Sequence, residues 1–148
     1  MSARRGHGRR REDRGSVVVE FALVVPLVVL MLIGIIQYGY HYWAMQTASA
    51  TAREAARRLV VGTDPVCTVA EAQGRAAGPA VGSSVPSVVY SYDNAGNTAV
   101  RGSLVTVTVT IQSLDIGIVP LPSGGVVQQS ATNRVENVPI DPLLCTGP

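Results

Sequence analysis

Three patterns of apolar and polar positions divide the chain. From Val17 to Ile36 the sequence is apolar almost throughout, interrupted by a single charged residue, Glu20. Twenty residues at about 1.5 Å rise span a hydrocarbon core of roughly 30 Å, so this run predicts a membrane-crossing helix. Further on the period changes. Ala44, Ala48, Ala52, Ala55 and Leu59 recur at helical spacing and form one narrow apolar stripe. Beyond Ser87 the period falls to two. Between Leu104 and Ser113, the residues Val105, Val107, Val109 and Ile111 alternate with Thr106, Thr108, Thr110 and Gln112, the signature of a half-buried strand.

The first two patterns join into one long helix from about Ser16 to Val61. Gly62 offers a C-cap, and Pro65 blocks continuation. Pro26 has no N–H and leaves the Ala22 carbonyl without its donor, so a kink or local unwinding is expected there. Glu54 precedes Arg58 by four residues, an order that suits both pairing and the helix dipole. Thr68-Val69-Ala70-Glu71 fits a capping box and opens a short helix ending near Gly78-Pro79. The stretch Gly74 to Pro86, rich in Gly, Ala, Ser and Pro, reads as linker. Ser87 to Tyr92 predicts a strand followed by the turn-prone Asp93-Asn94-Ala95-Gly96-Asn97. Gly124-Gly125 precedes a last strand, Val126 to Glu136, polar enough to be an edge. The expected fold class is therefore α+β: one N-terminal transmembrane helix, extended into a long amphipathic helix, then a small antiparallel β-sheet head. The boundaries expected are 1–15 for a basic cytoplasmic leader and 16–61 for the helix. A short helix and linker fill 62–86, and an extracytoplasmic β region fills 87–148.

Charge sets the topology. All twelve basic residues are arginines, and six of them precede Gly15 together with Glu12 and Asp13. That leader carries +4 of a chain whose formal net charge is +2, so the remainder is acidic by two. Arginines on the N-terminal flank hold that side in the cytoplasm, and Tyr38, Tyr40, His41, Tyr42 and Trp43 form an aromatic band for the opposite interface. The expected localisation is the cytoplasmic (inner) membrane, single-pass, with the head outside. An ordinary secretory signal cut near Ala48-Ser49-Ala50 is the competing reading. It would need an apolar core of roughly 7–15 residues, shorter than this run.

Both cysteines, Cys67 and Cys145, fall on the expected outer side, where a bridge between them would close a loop spanning most of the head. Two free thiols are the alternative. Catalytic chemistry has little to work with. His7 lies in the leader and His41 in the aromatic band, and no cysteine has metal-ligand spacing. Asp93, Asp115 and Asp141 sit among Asn, Gly or Pro, as turn-forming acids do. No catalytic residue, metal, cofactor, small-molecule substrate or nucleic acid is expected.

Glu20 asks for a separate explanation, because a carboxylate within a spanning helix costs roughly 2.5–3.5 kcal/mol on insertion scales. A position near the cytoplasmic interface would reduce that cost. Gly15 followed by Ser16-Val17-Val18-Val19-Glu20-Phe21 resembles the site at which prepilin peptidases cut type IV pilin-like precursors. In such sites a glycine ends a basic leader and a glutamate falls at the fifth mature position. The string Val19-Glu20-Phe21-Ala22-Leu23-Val24-Val25-Pro26, with Gly34-Ile35-Ile36-Gln37-Tyr38-Gly39, is similar to the TadE-like family of tight-adherence (Tad) pilus assembly proteins. Phe21 stands where Flp-type prepilins carry tyrosine, and Gln37 where TadE-like proteins often carry a second acid. Ala131-Thr132-Asn133-Arg134-Val135-Glu136 is similar to the family's closing strand. The resemblance implies a structural minor pilin or pseudopilin, not an enzyme. It would be processed between Gly15 and Ser16 and assembled through Glu20 and Phe21. Its partners would be the bilayer, a prepilin peptidase, other Tad pilins or pseudopilins, and assembly-platform proteins. The alternative is a single-pass binding or adhesion module that is never processed.

Overall fold

The computed structural model describes residues 9–81 and 84–138, with side chains from Gly15 onward. The fold is α+β. Helix α1 covers Arg9–Val60, α2 covers Pro65–Ala76, and the strands are β1 (Ser87–Tyr92), β2 (Leu104–Gln112) and β3 (Val126–Arg134). A 3-10 turn, Pro122–Gly125, leads into β3. The chain divides into two compact units between Ile36 and Gln37.

In the first unit every described residue from Gly15 to Ile36 is exposed or at most half-buried. Leu23, for example, keeps 74% of its surface. Helical structure passes through Pro26 without interruption, so of the kink or local unwinding expected there the unwinding is absent. Proline removes one donor from the ladder. The helix also starts at Arg9 rather than near Ser16.

The second unit is the head. β1, β2 and β3 pair antiparallel in sequence order, with Val88 opposite Val109 and Ile111 opposite Val127. The period-two pattern does what it predicts. Val105, Val107, Val109 and Ile111 are buried, and the threonines between them face outward, where Thr106 and Thr132 hydroxyls meet at 2.8 Å. β3 is an edge, as its polarity implied, but its last two expected residues leave the ladder.

The buried face of the sheet shares one core with Ala44, Ala48, Ala52, Ala55, Ala56 and Leu59 of α1 and with Ala72 and Ala76 of α2. The alanine stripe thus receives the head's own sheet. Small side chains let backbone approach closely, while each buried valine or isoleucine opposite contributes about 1.5–3 kcal/mol.

The end of α1 is closed from two sides. Gly62 (φ +88) adopts the left-handed conformation. Its N–H bonds the Leu59 carbonyl at 3.4 Å and the Thr63 N–H bonds Arg58 at 3.1 Å, a Schellman arrangement. The chain leaving β3 then donates the Glu136 and Asn137 N–H groups to the Val60 carbonyl, at 3.1 and 3.0 Å.

Two boundaries need correction. α2 begins at Pro65, not near Thr68. Asp64 is its N-cap, and Oδ1 accepts from the Val66 and Cys67 N–H groups at 2.8 and 3.2 Å. Proline at the first helical position loses no bond, so the residue that stops α1 also starts α2. Thr68 is not a cap; its hydroxyl donates back to the Asp64 carbonyl. The linker reading of 74–86 fails at its start, because Gly74 to Ala76 belong to α2 and both Ala76 and Pro79 are buried.

Candidate functional site

Gly15, Ser16, Glu20 and Phe21 lie on the first exposed turns of α1. Ser16 and Glu20 are four apart and therefore share a face. Among the described residues no basic side chain pairs with Glu20. A Cβ placed on Gly15 would meet nothing within 4 Å, so glycine there answers no packing demand. Its effect is on the backbone: glycine weakens a helix by about 1 kcal/mol relative to alanine.

A second cluster stands where α1 enters the head. Gln37 is 0% exposed. Its Nε2 donates to Asp115 Oδ1 at 3.2 Å and to the Val119 carbonyl at 2.9 Å. Its Oε1 has no hydrogen-bond partner among the described residues. One residue on, the Tyr38 hydroxyl donates to the Pro120 carbonyl at 3.0 Å. One turn on, His41 is buried with Nδ1 3.1 Å from Ser113 Oγ, and that hydroxyl donates to the Gly125 carbonyl at 2.9 Å. With its hydrogen committed to Gly125, the serine accepts from His41 Nδ1–H. Ser113 is 2% exposed, so the pair fastens the end of β2 to α1 and presents no nucleophile.

This latch corrects the reading of His41, which belongs to the head's interior and not to an interfacial band. Asp115 acts twice within it, since Oδ1 shapes the turn by accepting from the Gly117 N–H at 2.9 Å while also holding Gln37. The signal for the cluster is present in the sequence. Extending the alanine stripe backwards by helical steps from Ala44 reaches His41 and then Gln37, so both polar residues occupy the buried face.

α1 and α2 are joined by charge. Glu54 accepts from Arg58 at 3.0 Å, Arg58 reaches on to Glu71, and Glu71 pairs with Arg75 at 2.7 Å. The Arg58 hydrogen bond holds the Glu54 carboxyl below its ordinary value. Bonding to Glu54, ahead of any other cause, raises the Arg58 guanidinium in turn. Cys67 sits half-buried in the first turn of α2, and Cys145 lies outside the described residues. Among the described residues no group of three or more His, Cys, Asp or Glu is placed to hold a metal ion.

One stretch of sequence spans the exposed apolar helix, the aromatic residues, the latch residues of α1 and most of the alanine stripe. Residues 15–57 match the family model for TadE-like proteins. No curated protein and no solved structure matches the chain. The TadE-like segment thus includes Glu20, Gln37 and His41, while α2 and the sheet lie outside it. TadE-like proteins form a structural pilus-assembly family, and the match to them is confined to that segment. Among the described residues one helix, near the N-terminus, is long and apolar enough to cross a membrane, which accords with membrane anchoring.

Proposed function

We propose that this protein is a membrane-anchored minor pilin or pseudopilin of a Tad-type, type IV-like pilus or secretion system, processed by a prepilin peptidase after Gly15. One observation carries the reading. Among the described residues no position of the hydrophobic window in the TadE-like segment is buried, whereas the alanine stripe of the same helix is filled by the head. Uncovered apolar surface on this scale needs lipid while the subunit is stored and needs other subunits once it is assembled.

Glu20 gives the assembled state its specificity. Cleavage would free the Ser16 amine, and a neighbouring subunit's Glu20 could pair with it, each charge offsetting the other's burial. Peptidase access requires local unwinding around Gly15, which its weak helix propensity favours. The head stays on the outer side of the inner membrane with its N-terminal flank in the cytoplasm. A Cys67–Cys145 bridge fits this arrangement, since the segment after β3 already bonds to the end of α1 a few residues from α2.

N-terminal sequencing of the protein, extracted from cells with and without prepilin peptidase, tests the proposal. A first residue of Ser16 only when the peptidase is present supports it. An N-terminus that still precedes Gly15 in peptidase-competent cells would leave a simple anchored module instead.

A further inference from the structure

Resting on the membrane-anchored reading above, we infer that the loop from Leu114 to Leu121 is a second membrane contact, seating Ile116 and Ile118 in the lipid interface. Two isoleucines are exposed at the tip of this loop, Ile116 at 44% and Ile118 at 52%. The tip is shaped rather than slack. Gly117 between them has φ +74, and its N–H is held by Asp115 Oδ1. A polar turn would satisfy solvent with no such residues.

The latch ties this tip to the first residue after the apolar run. Gln37 directly follows Ile36, the last residue of the apolar run, and it holds Asp115 and Val119. Tyr38 holds Pro120. Ile116 is bonded to Asp115 and Ile118 to Val119, so each isoleucine Cα is one step of about 3.8 Å from a residue touching Gln37. The interfacial layer on each side of the hydrocarbon core is several ångströms deep, and amphipathic surfaces enter it by roughly 5–10 Å.

Charge identifies the contact as apolar. No arginine or lysine occurs between Gly102 and Asn133, and the loop's one ionisable group, Asp115, is engaged by two donors. Attraction to anionic headgroups is therefore not the driving term, and neutral lipid suffices.

Tryptophan quenching tests this in the full-length protein. Trp43→Phe removes the single native tryptophan. A new one is then placed in separate samples at Ile118, at Leu27 within the run, and at Val89 on the outward face of β1. Each is reconstituted in phosphatidylcholine vesicles with and without brominated acyl chains. The expected result is strong quenching at Leu27, quenching to about half or less at Ile118, and none at Val89. Quenching at Leu27 with none at Ile118 overturns the loop contact alone. No quenching at Leu27 overturns the anchored reading and this inference with it. Equal quenching at Val89 also overturns it, because the contact would not belong to the loop. In native envelopes, an Ile118→Trp shielded from aqueous acrylamide yet untouched by brominated lipid would assign the loop to a protein partner instead. If Ile118→Trp fails to fold, Ile116→Trp gives the same reading.

Discussion

Replacing Gln37 with glutamate changes little in shape and almost everything in hydrogen bonding. Nε2 now donates to two acceptors, Asp115 Oδ1 and the Val119 carbonyl, from a side chain with no exposed surface. A carboxylate in its place would face those same two acceptors, one of them charged. The folded head would tolerate the variant only with the new carboxyl protonated. Holding it neutral at pH 7, against an ordinary value near 4.3, costs up to about 3.7 kcal/mol. The protonated acid offers one hydrogen where the amide offered two, adding about 1 kcal/mol for the lost bond. The sign follows from linkage. An acid whose folded value is raised is destabilising above its unfolded value and not below it, so the charge penalty vanishes near pH 4 and only the lost bond remains. For a unit of about 100 residues, 1 kcal/mol moves the melting temperature by about 4–8 °C. Gln37→Glu should therefore melt roughly 15 °C or more below the parent at pH 7 and about 5 °C below it at pH 4. The assay is near-UV circular dichroism of the detergent-solubilised full chain, parent and variant compared at each pH. Gln37→Met also loses both donors but removes the unpaired Oε1, and should stay within about 2 kcal/mol of the parent. A Gln37→Glu melt indistinguishable from the parent at pH 7, or a deficit that does not change with pH, would refute the latch.

Glu20→Ala should leave membrane insertion intact or improved, since it deletes an acid from the bilayer, and should sharply reduce assembled pili; normal piliation would assign Glu20 to the interface. Gly15→Leu should block processing without disturbing the head, read as a retained leader with an unchanged melt, because the position is open. Non-reducing peptide mapping should recover Cys67 linked to Cys145, and reduction should lower the head's melting temperature by several degrees; two alkylatable thiols would remove the bridge. Because the Arg58 bond lowers Glu54, that pair stabilises the head above the ordinary carboxylate value of 4.5 and is lost as pH falls below it. Arg58→Met should accordingly flatten the acid limb of the pH–stability curve and leave the alkaline limb alone.

The strands are legible in the sequence because the alternation of valine with threonine leaves β2 only one way to bury itself, and β1 and β3 follow from the turns beside it. The long helix is legible for the same reason at a different period. What escapes are places where one residue has two meanings. Pro65 reads as the end of one helix, although proline is equally at home in the first turn of the next, and Asp64 beside it is the cap. Gly, Ala, Ser and Pro between Gly74 and Pro86 resemble a solvated linker, yet alanine and proline are also small enough to be packed, as Ala76 and Pro79 are. The latch is harder. Gln37 meets partners 78 and 82 positions away and His41 one 72 away, pairings that local period does not encode. Only the helical phase places those two on the buried side.

Surface pili sheared from cells and quantified give the most direct test that this chain serves Tad pilus assembly. Deleting its coding sequence should abolish them, and re-expressing the full chain should restore them. Pili produced at the parental level without the chain would contradict the account.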